Sequence, residues 1–198
     1  IIVGGVAGGA TAAARLRRID ETAEIILLER GKEISFANCG LPYYIGDVIK
    51  DRNKLLVQTP EGMHARFNLD VRNLSEAIRI NREAKTVTIR NVDTGEEYDE
   101  SYDHLILSPG AKPIRPNIPG LSDATNVFTL RNIPDTDRMR EYVDTNRPDK
   151  ALVIGGGFIG LEMAENLAER GARVTLVEMA DQVMAPIDPE MAAIVHEH

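Results

Sequence analysis

One cysteine and two glycine-rich turns are the residues of this sequence that could do chemistry. Cys39 is the single cysteine among the 198 residues. A thiolate acts as a nucleophile in thiol–disulfide exchange, and it can also be oxidised to a sulfenic acid. Because these residues hold no second thiol, the redox partner of Cys39 has to be a sulfur of a small molecule or an oxygen. The competing interpretation is a buried structural cysteine, the usual state of a lone cysteine.

The second glycine-rich turn is the more regular of the two. Gly155–Gly160 fits the pattern G-x-G-x-x-G, follows the apolar strand Ala151–Ile154 and opens a helix. In this pattern the glycines permit a tight turn, close approach of a pyrophosphate and helix–strand packing, and the helix N-terminus attracts phosphates. Glu178 ends the next strand, where it could bind ribose hydroxyls and repel a 2′-phosphate, which favours NADH and leaves NADPH as the second option. The predicted NAD contacts are Gly155, Gly157, Phe158, Ile159, Gly160 and Glu178.

The first turn, Gly4–Gly9, matches the first and last glycines of the same pattern but has Val6 in the middle position. Glu29 ends the following strand in the same way as Glu178 ends its own. Two such units in one chain favour electron transfer between two dinucleotides, usually FAD at the first and NAD at the second.

The elements that must position these residues indicate an α/β fold with two Rossmann-like dinucleotide-binding units and an antiparallel β-meander between them. Strands are predicted at Ile1–Val3, at Glu24–Leu28 with its apolar run Ile25–Leu28, and at Tyr102–Leu107, as in a buried parallel sheet. Alternation at period two from Glu76 to Ser101, with a turn at Asp93–Gly95, predicts the meander. Helices are predicted at Gly8–Ile19, Thr59–Phe67, Pro134–Asn146, from the second glycine turn to Glu169 and, as a short piece, near Gly40.

We expect three parts along the chain: an incomplete FAD-binding domain at 1–115, a connection at 116–149, and the incomplete start of an NAD(P)H-binding domain at 150–198. The sequence starts at Ile1 within a strand and ends soon after the second unit opens. We therefore expect a truncated chain, a segment of a longer protein.

Composition limits the function classes. The residues are 43% apolar and 27% charged, as in an ordinary soluble globular protein, and no run of 18 apolar residues predicts a membrane span. A net charge of −8 argues against general nucleic-acid binding. A single cysteine suits a reducing cytoplasm. No metal site is expected, because the spacing of the four histidines, His64, His104, His196 and His198, fits none.

Several motifs together resemble a known family, the single-cysteine pyridine nucleotide–disulfide oxidoreductases. They are Ile1–Arg18, Ser35–Gly46, Ser108–Gly110, Thr129–Asn132 and Gly155–Gly160. Within that family the segment Ser35–Tyr44 is similar to coenzyme A-disulfide reductases, including the type fused to a rhodanese domain. The glutathione-reductase type has a second cysteine five positions after the first, where this chain has Tyr44.

The resemblance implies a mechanism and a set of site residues. NADH reduces FAD, the flavin reduces the sulfur of Cys39, and Cys39 cycles through a mixed disulfide with coenzyme A. The implied partner is a small-molecule thiol or disulfide, and the implied assembly is a homodimer. The implied coenzyme A contacts are Thr11, Arg15, Arg18, Ser35, Asn38 and Arg66. Arg66 is included because some members have a basic residue at the position of Phe67, and Arg66 is its neighbour. The implied flavin contacts are Gly4, Val6, Ala7, Gly8, Glu29, Arg30, Asn38, Cys39, Ala77, Ser108, Gly110 and Arg131.

Two alternatives stay open at this point. The same fold could reduce peroxide or oxygen through a Cys39 sulfenic acid, or it could be a non-catalytic, flavin-binding redox sensor. Arg15 and Arg18, three apart on one predicted helix, could clamp a phosphate, but they could also be a solvated cationic helix end that complements the helix dipole.

Overall fold

The computed structural model describes residues 1–197, so His198, one of the histidines considered above, lies outside the described residues. The chain divides into two compact units. Unit 1 comprises residues 1–37 and 56–112, and unit 2 comprises residues 38–55 and 113 onward.

Unit 1 is built on a four-stranded parallel sheet. Its strands are β1 (Ile2–Val3), β2 (Ile26–Leu28), β3 (Asp70–Arg72) and β7 (Ile106–Leu107), in the spatial order β3-β2-β1-β7. The helix α1 (Gly8–Ile19) connects β1 to β2 and packs against both strands, and α3 (Pro60–Phe67) packs against β3. The strands β2 and β7 are shorter than the predicted strands Glu24–Leu28 and Tyr102–Leu107, and β3 was not predicted.

Unit 1 also contains an antiparallel meander beside the parallel sheet, as the period-two alternation predicts. It consists of β4 (Ser75–Asn81), β5 (Thr86–Asn91) and β6 (Glu97–Ser101), in that spatial order. Val87 and Ile89 of β5 are fully buried and pack with Leu28 of β2. The main core of unit 1 consists of Ile2, Ala10, Ala13, Ile25, Leu27, Ile34, Met63 and Leu69. Helices and meander thus hold the parallel sheet, and with it the loops at the carboxyl ends of its strands.

Unit 2 contains the second βαβ unit, in which β8 (Lys150–Ile154) and β9 (Arg173–Val177) pair in parallel and α5 (Phe158–Glu169) connects them. Three further helices belong to this unit: α2 (Leu41–Ile45), α4 (Ile133–Asn146) and α6 (Pro189–His196). The short helix predicted near Gly40 is confirmed as α2, whereas α6 was not foreseen. Buried Ile45, Val143 and Met163 join α2, α4 and α5 in one cluster. Within residues 1–197 no helix has the length and apolar character needed to cross a membrane.

Candidate functional site

The first glycine turn joins β1 to α1 in unit 1. Gly4 adopts a φ of 99°, which L side chains rarely adopt, and its amide donates to the Leu28 carbonyl at 2.8 Å. A Cβ on Gly9 would lie 1.7 Å from the carbonyl oxygen of Gly4. The turn therefore requires glycine at its first and last positions, although Val6 occupies the middle one.

Glu29 closes this turn from the neighbouring strand. Its Oε2 accepts a hydrogen bond from the Gly5 amide at 2.8 Å, and its Oε1 accepts one from the Gly31 amide at 2.7 Å. Each carboxylate oxygen has two acceptor positions, so both oxygens can still accept from a sugar hydroxyl.

The first turn lies at a topological switch point of the parallel sheet. The strand β1 has β2 on one side and β7 on the other, and ligands of open α/β sheets bind in the crevice at such a point. The loop that follows β7 comes close to the glycine turn: a Cβ on Gly4 would lie 2.0 Å from the Ser108 carbonyl oxygen, and one on Gly8 would lie 3.1 Å from Ser108 Oγ. The structure therefore places Ser108 beside Gly4 and Gly8, three of the predicted flavin contacts.

The other predicted flavin contacts are more dispersed. Ala7 and Gly8 are exposed at the start of α1, and Val6 is half-buried. Arg30 is exposed and lies 3.5 Å from Glu76. Ala77 packs with the buried cluster between sheet and meander, at a bulge in β4. Gly110 follows β7 with a φ of 72°. Arg131, Asn38 and Cys39 belong to unit 2.

The second turn repeats the geometry of the first. Gly155 has a φ of 108° and its amide donates to the Val177 carbonyl at 2.8 Å. A Cβ on Gly160 would lie 1.9 Å from the Gly155 carbonyl oxygen, whereas a Cβ on Gly157 would meet nothing within 4 Å. Phe158 and Ile159 are exposed on the first turn of α5. The space beside Gly157 is thus free for a group that approaches the backbone closely.

Glu178 has the same role in unit 2 as Glu29 in unit 1. Its Oε2 accepts from the Gly156 amide at 2.6 Å, and its Oε1 accepts from the amides of Met179 and Ala180 at 2.7 and 2.8 Å. The hydrogen bonds from Ala180 and Gly156, followed by that from Met179, hold the pKa of the Glu178 carboxyl below its usual value. Glu178 is therefore ionised at neutral pH.

The helices that follow the two turns begin without a side-chain cap. The residues at the N-cap positions of α1 and α5, Ala7 and Gly157, cannot supply a capping oxygen. By contrast, Thr59 caps α3 through the Gly62 amide at 3.1 Å, and Asn132 caps α4 through the Asp135 amide at 2.9 Å. The first-turn amides of α1 and α5 are thereby left to bind a phosphate.

Cys39 lies in unit 2, in the short 3₁₀-helix Asn38–Gly40 that directly precedes α2. Its side chain is exposed, as is that of Asn38, and it forms no disulfide. Within the described residues, Cys39 is therefore not a buried cysteine.

Two arginines fasten the cysteine segment to unit 2. Arg140 of α4 donates to the carbonyl of Tyr44 and, at 3.1 Å, to that of Ile49, and it forms an ion pair with Asp47 at 2.6 Å. Arg170, just after α5, donates to the Ile45 carbonyl at 3.1 Å. The carbonyls at the C-terminal end of α2 are thus satisfied by guanidinium groups.

The position five residues after Cys39 has a structural role in this chain. The guanidinium carbon of Arg140 lies 4.2 Å from the centroid of the Tyr44 ring, a close cation–π contact. Tyr44 therefore packs against the arginine that fastens the segment. It occupies the position of the second cysteine of the glutathione-reductase type.

The predicted coenzyme A contacts fall in both units. Thr11, Arg15 and Arg18 are exposed on α1, and Arg66 is exposed on α3. The guanidinium carbons of Arg18 and Arg66 lie 5.8 and 5.1 Å from the centroid of the same Phe67 ring. Ser35 has a φ of 45°, and its amide donates to the Gly5 carbonyl at 2.9 Å. Unit 1 thus brings together Arg18 and Arg66, while Asn38 belongs to unit 2.

Comparison with known proteins supports one family. The model of the family described as pyridine nucleotide-disulphide oxidoreductase matches residues 1–198. The chain belongs to this family. The coenzyme A disulfide reductase of Staphylococcus aureus (strain JH9) is 47% identical over 192 residues, which are 96% of this chain and 43% of that relative. The chain thus spans less than half the length of this curated relative.

Two solved structures of family relatives have the same fold. The reduced Bacillus anthracis CoADR-RHD is 68% identical with a TM-score of 0.96, and the match covers 100% of this chain and 35% of that one. The NAD-dependent persulfide reductase from A. fulgidus is 38% identical with a TM-score of 0.92, covering 100% of this chain and 37% of that one. The predicted fold class, two Rossmann-like units with a meander, is confirmed for this member of the pyridine nucleotide-disulphide oxidoreductases.

The residues that support the site of this family member were not predicted from the sequence. The amides of Gly5 and Gly156 donate to the two glutamates, but both residues occupy variable positions of the glycine pattern, which assigns them no role. Arg140 and Arg170 have no motif at all, and only the spacing of Arg140 and Asp144, four apart on a helix, indicates a local ion pair. Among the described residues no group of histidine, cysteine and carboxylate side chains could hold a metal ion.

Proposed function

We propose that the protein containing these residues is an NAD(P)H-dependent flavoprotein that reduces coenzyme A disulfide, or a related persulfide or polysulfide, through Cys39. The observation that carries the proposal is an exposed thiol without a sister thiol in this chain, on a segment hydrogen-bonded to the unit that carries the second dinucleotide turn. The relatives named coenzyme A disulfide reductase and persulfide reductase support the same chemistry.

FAD fits the residues of the first turn. The uncapped N-terminus of α1 offers amides to its pyrophosphate, and Glu29 retains acceptor positions for ribose hydroxyls. Ser108 and Gly8 border the same crevice, and the resemblance adds Gly4, Val6, Ala7, Arg30, Ala77, Gly110, Arg131, Asn38 and Cys39. When bound, the flavin accepts a hydride from the nicotinamide and passes two electrons to sulfur.

NADH fits the second turn. The open space beside Gly157 and the uncapped amides of α5 can bind a pyrophosphate. Phe158, Ile159 and Gly160 complete the turn. Glu178 is ionised, and after its three amide hydrogen bonds its Oε2 retains one acceptor position for a ribose hydroxyl of the adenosine, while its charge repels the 2′-phosphate of NADPH. We therefore propose NADH as the preferred donor.

Cys39 performs the sulfur chemistry. Its thiolate attacks one sulfur of the disulfide, a Cys39–coenzyme A disulfide forms, and the first coenzyme A leaves as a thiolate. Two electrons then cleave the mixed disulfide, which restores the Cys39 thiolate and releases the second coenzyme A thiolate. With a persulfide substrate the same attack leaves Cys39 bearing the transferred sulfur, and the same two electrons release it as sulfide.

The proposed substrate contacts are three cations and three polar residues. Arg15, Arg18 and Arg66 are exposed guanidinium groups in a chain with a net charge of −8, and they suit the phosphates of coenzyme A. Thr11, Ser35 and Asn38 complete the set that the resemblance implies.

The whole protein is proposed to have the organisation of its family. Residues 1–115 and 150–198 would be parts of the FAD-binding and NAD(P)H-binding domains, with 116–149 as the connection. We propose a homodimer, and a cytoplasmic location because a thiol that works in its reduced form requires a reducing compartment.

Acceptor-dependent oxidation of NADH by the full-length protein tests the proposal. Coenzyme A disulfide, a low-molecular-weight persulfide, hydrogen peroxide and dioxygen are added separately, and loss of nicotinamide absorbance is followed. The proposal predicts turnover with the disulfide or persulfide that disappears in Cys39→Ser. Turnover with peroxide or dioxygen alone would instead establish the sulfenic acid chemistry, and bound flavin with no turnover would establish a redox sensor.

A further inference from the structure

The loop between β9 and α6, residues 178–188, closes over the second glycine turn. The Met184 amide donates to the Gly156 carbonyl at 2.8 Å. A Cβ on Gly156 would lie 2.9 Å from Val183 Cγ1 and 3.3 Å from Glu178 Oε2, so both side chains pack closely against this glycine. The residue whose amide binds Glu178 is therefore also the residue on which the loop rests.

Local preferences of the sequence do not fix this loop. Residues 178–188 contain neither helix nor strand. Met184 adopts a φ of 54°, in the left-handed region that residues other than glycine seldom occupy. Val183 and Met184 are nonetheless buried. Contacts with the rest of unit 2 must therefore hold the loop in its closed position.

His196, the last residue of α6, makes one such contact. The Val183 amide donates to His196 Nε2 at 3.1 Å. An amide N–H can only donate, so Nε2 is the acceptor, and the imidazole is neutral with its proton on Nδ1. The same imidazole lines a cleft of about 340 Å³ together with Glu178 and Asp181. The hydrogen bond thus joins α6 to the loop residue that packs on the glycine turn.

We propose that His196 is a positioning residue for the NADH site: its imidazole fixes the loop on Gly156 and so keeps Glu178 in place for the adenosine ribose. This inference rests on the donor site of the proposed function, but not on Cys39 or on the electron acceptor. The Val183 amide and the Gly156 backbone connect the imidazole to the carboxylate. When the loop leaves the turn, water reaches the hydrogen bond between Gly156 and Glu178 and competes for both partners.

Two substitutions separate the hydrogen bond from the bulk of the side chain. His196→Gln keeps an acceptor, its side-chain carbonyl oxygen, for the Val183 amide, whereas His196→Leu keeps an apolar side chain and removes the acceptor. Loss of one hydrogen bond shifts the closing equilibrium of the loop roughly three- to ten-fold. The apparent affinity for NADH then falls with the fraction of molecules in which the loop is closed.

Steady-state kinetics of the full-length protein give the first readout. We expect His196→Leu to raise the KM for NADH roughly three-fold while kcat changes little, and His196→Gln to keep a KM near that of wild type. The ratio of kcat/KM for NADH over NADPH should narrow roughly two-fold in His196→Leu, because a less firmly held Glu178 repels the 2′-phosphate less. A residue that only stabilises α6 would not change this ratio.

A binding measurement makes the test independent of turnover. NAD⁺ is titrated calorimetrically into each full-length variant, which requires neither an electron acceptor nor Cys39. Weaker binding to His196→Leu than to His196→Gln supports the positioning role even in a protein that reduces no disulfide. Glu190→Gln, which removes an exposed charge from the first turn of the same helix, is the control and should bind as wild type.

Two results would overturn the role of His196. One is an NAD⁺ affinity that is the same in wild type and both His196 variants, because the loop would then be held without the imidazole. The other is an equal loss of affinity in His196→Leu and His196→Gln, because the ring would then act through its packing and not as an acceptor. Failure of wild type to bind NAD⁺ would refute the donor site as well.

Discussion

Replacement of Arg140 tests how the cysteine segment is held. In Arg140→Met, the carbonyls of Tyr44 and Ile49 lose a charged donor, and the Tyr44 ring loses the cation 4.2 Å from its centroid. Hydrogen bonds to charged groups contribute about 1.5–3 kcal/mol each, and a cation–π contact about 0.5–2 kcal/mol. The pair with Asp47 adds little, because the Asp47 side chain is 46% exposed.

The expected change follows from these contributions. Allowing for water that replaces part of the lost hydrogen bonding, we expect local opening of residues 41–49 to become about 3 kcal/mol easier. Amide hydrogen exchange in this segment should then accelerate roughly 10²-fold in the full-length protein, while exchange in β4 and β5 stays constant. A local measurement is needed because a protein of several domains does not unfold in two states.

A matched control lies on the same helix. Arg138 is two residues earlier, its side chain is 69% exposed, and it pairs with Asp135. Arg138→Met should change exchange in residues 41–49 less than two-fold, since an exposed pair contributes about 0–1 kcal/mol and does not contact the segment. Equal exchange rates in wild type and Arg140→Met would refute the view that this arginine fastens the cysteine segment.

Three further predictions concern the second turn and Glu178. Gly157→Ala should leave the melting temperature unchanged, because its Cβ meets nothing within 4 Å, but it should raise the KM for NADH. Gly160→Ala should lower both the melting temperature and the affinity for NADH, because its Cβ would lie 1.9 Å from the Gly155 carbonyl oxygen. Equal melting temperatures for the two variants would contradict this reading of the turn. Glu178→Gln should narrow the preference for NADH over NADPH roughly ten-fold, about 1.4 kcal/mol, measured as the ratio of kcat/KM values. The pKa of Glu178 is lowered in the folded state, so the carboxylate contributes its full stabilisation above the ordinary value of 4.5. This stabilisation is lost as the pH falls through the lowered pKa. In thermal melts below that pH, acid should therefore destabilise wild type more than Glu178→Gln.

Sequence reasoning succeeded where one local rule dictates the structure. The helix α1 begins at Gly8 and ends at Ile19 as predicted, because alanine-rich segments favour helix and the glycine turn fixes its start. The strands β2 and β9 end at Leu28 and Val177, each directly before a glutamate, as the βαβ repeat predicts. In each case the residues concerned are neighbours in the sequence.

Features that depend on distant residues were not predictable. The strand β3 has three residues, Asp70–Arg72, with no apolar run, and it forms because β2 offers it a hydrogen-bonding edge. The fastening of α2 by Arg140 and Arg170 joins residues 91 to 125 positions apart. The convergence of Arg18 and Arg66 on Phe67 likewise requires the packing of α1 and α3 in unit 1.

Mass spectrometry of Cys39 shows whether this thiol forms a mixed disulfide with coenzyme A. The full-length protein is incubated with coenzyme A disulfide in the absence of NADH and digested without reductant. The mass of the peptide that contains Cys39 is then measured. We expect one coenzyme A per Cys39, removed by NADH and absent from Cys39→Ser. An unmodified thiol, or an oxygen adduct that NADH removes while coenzyme A never attaches, would contradict it.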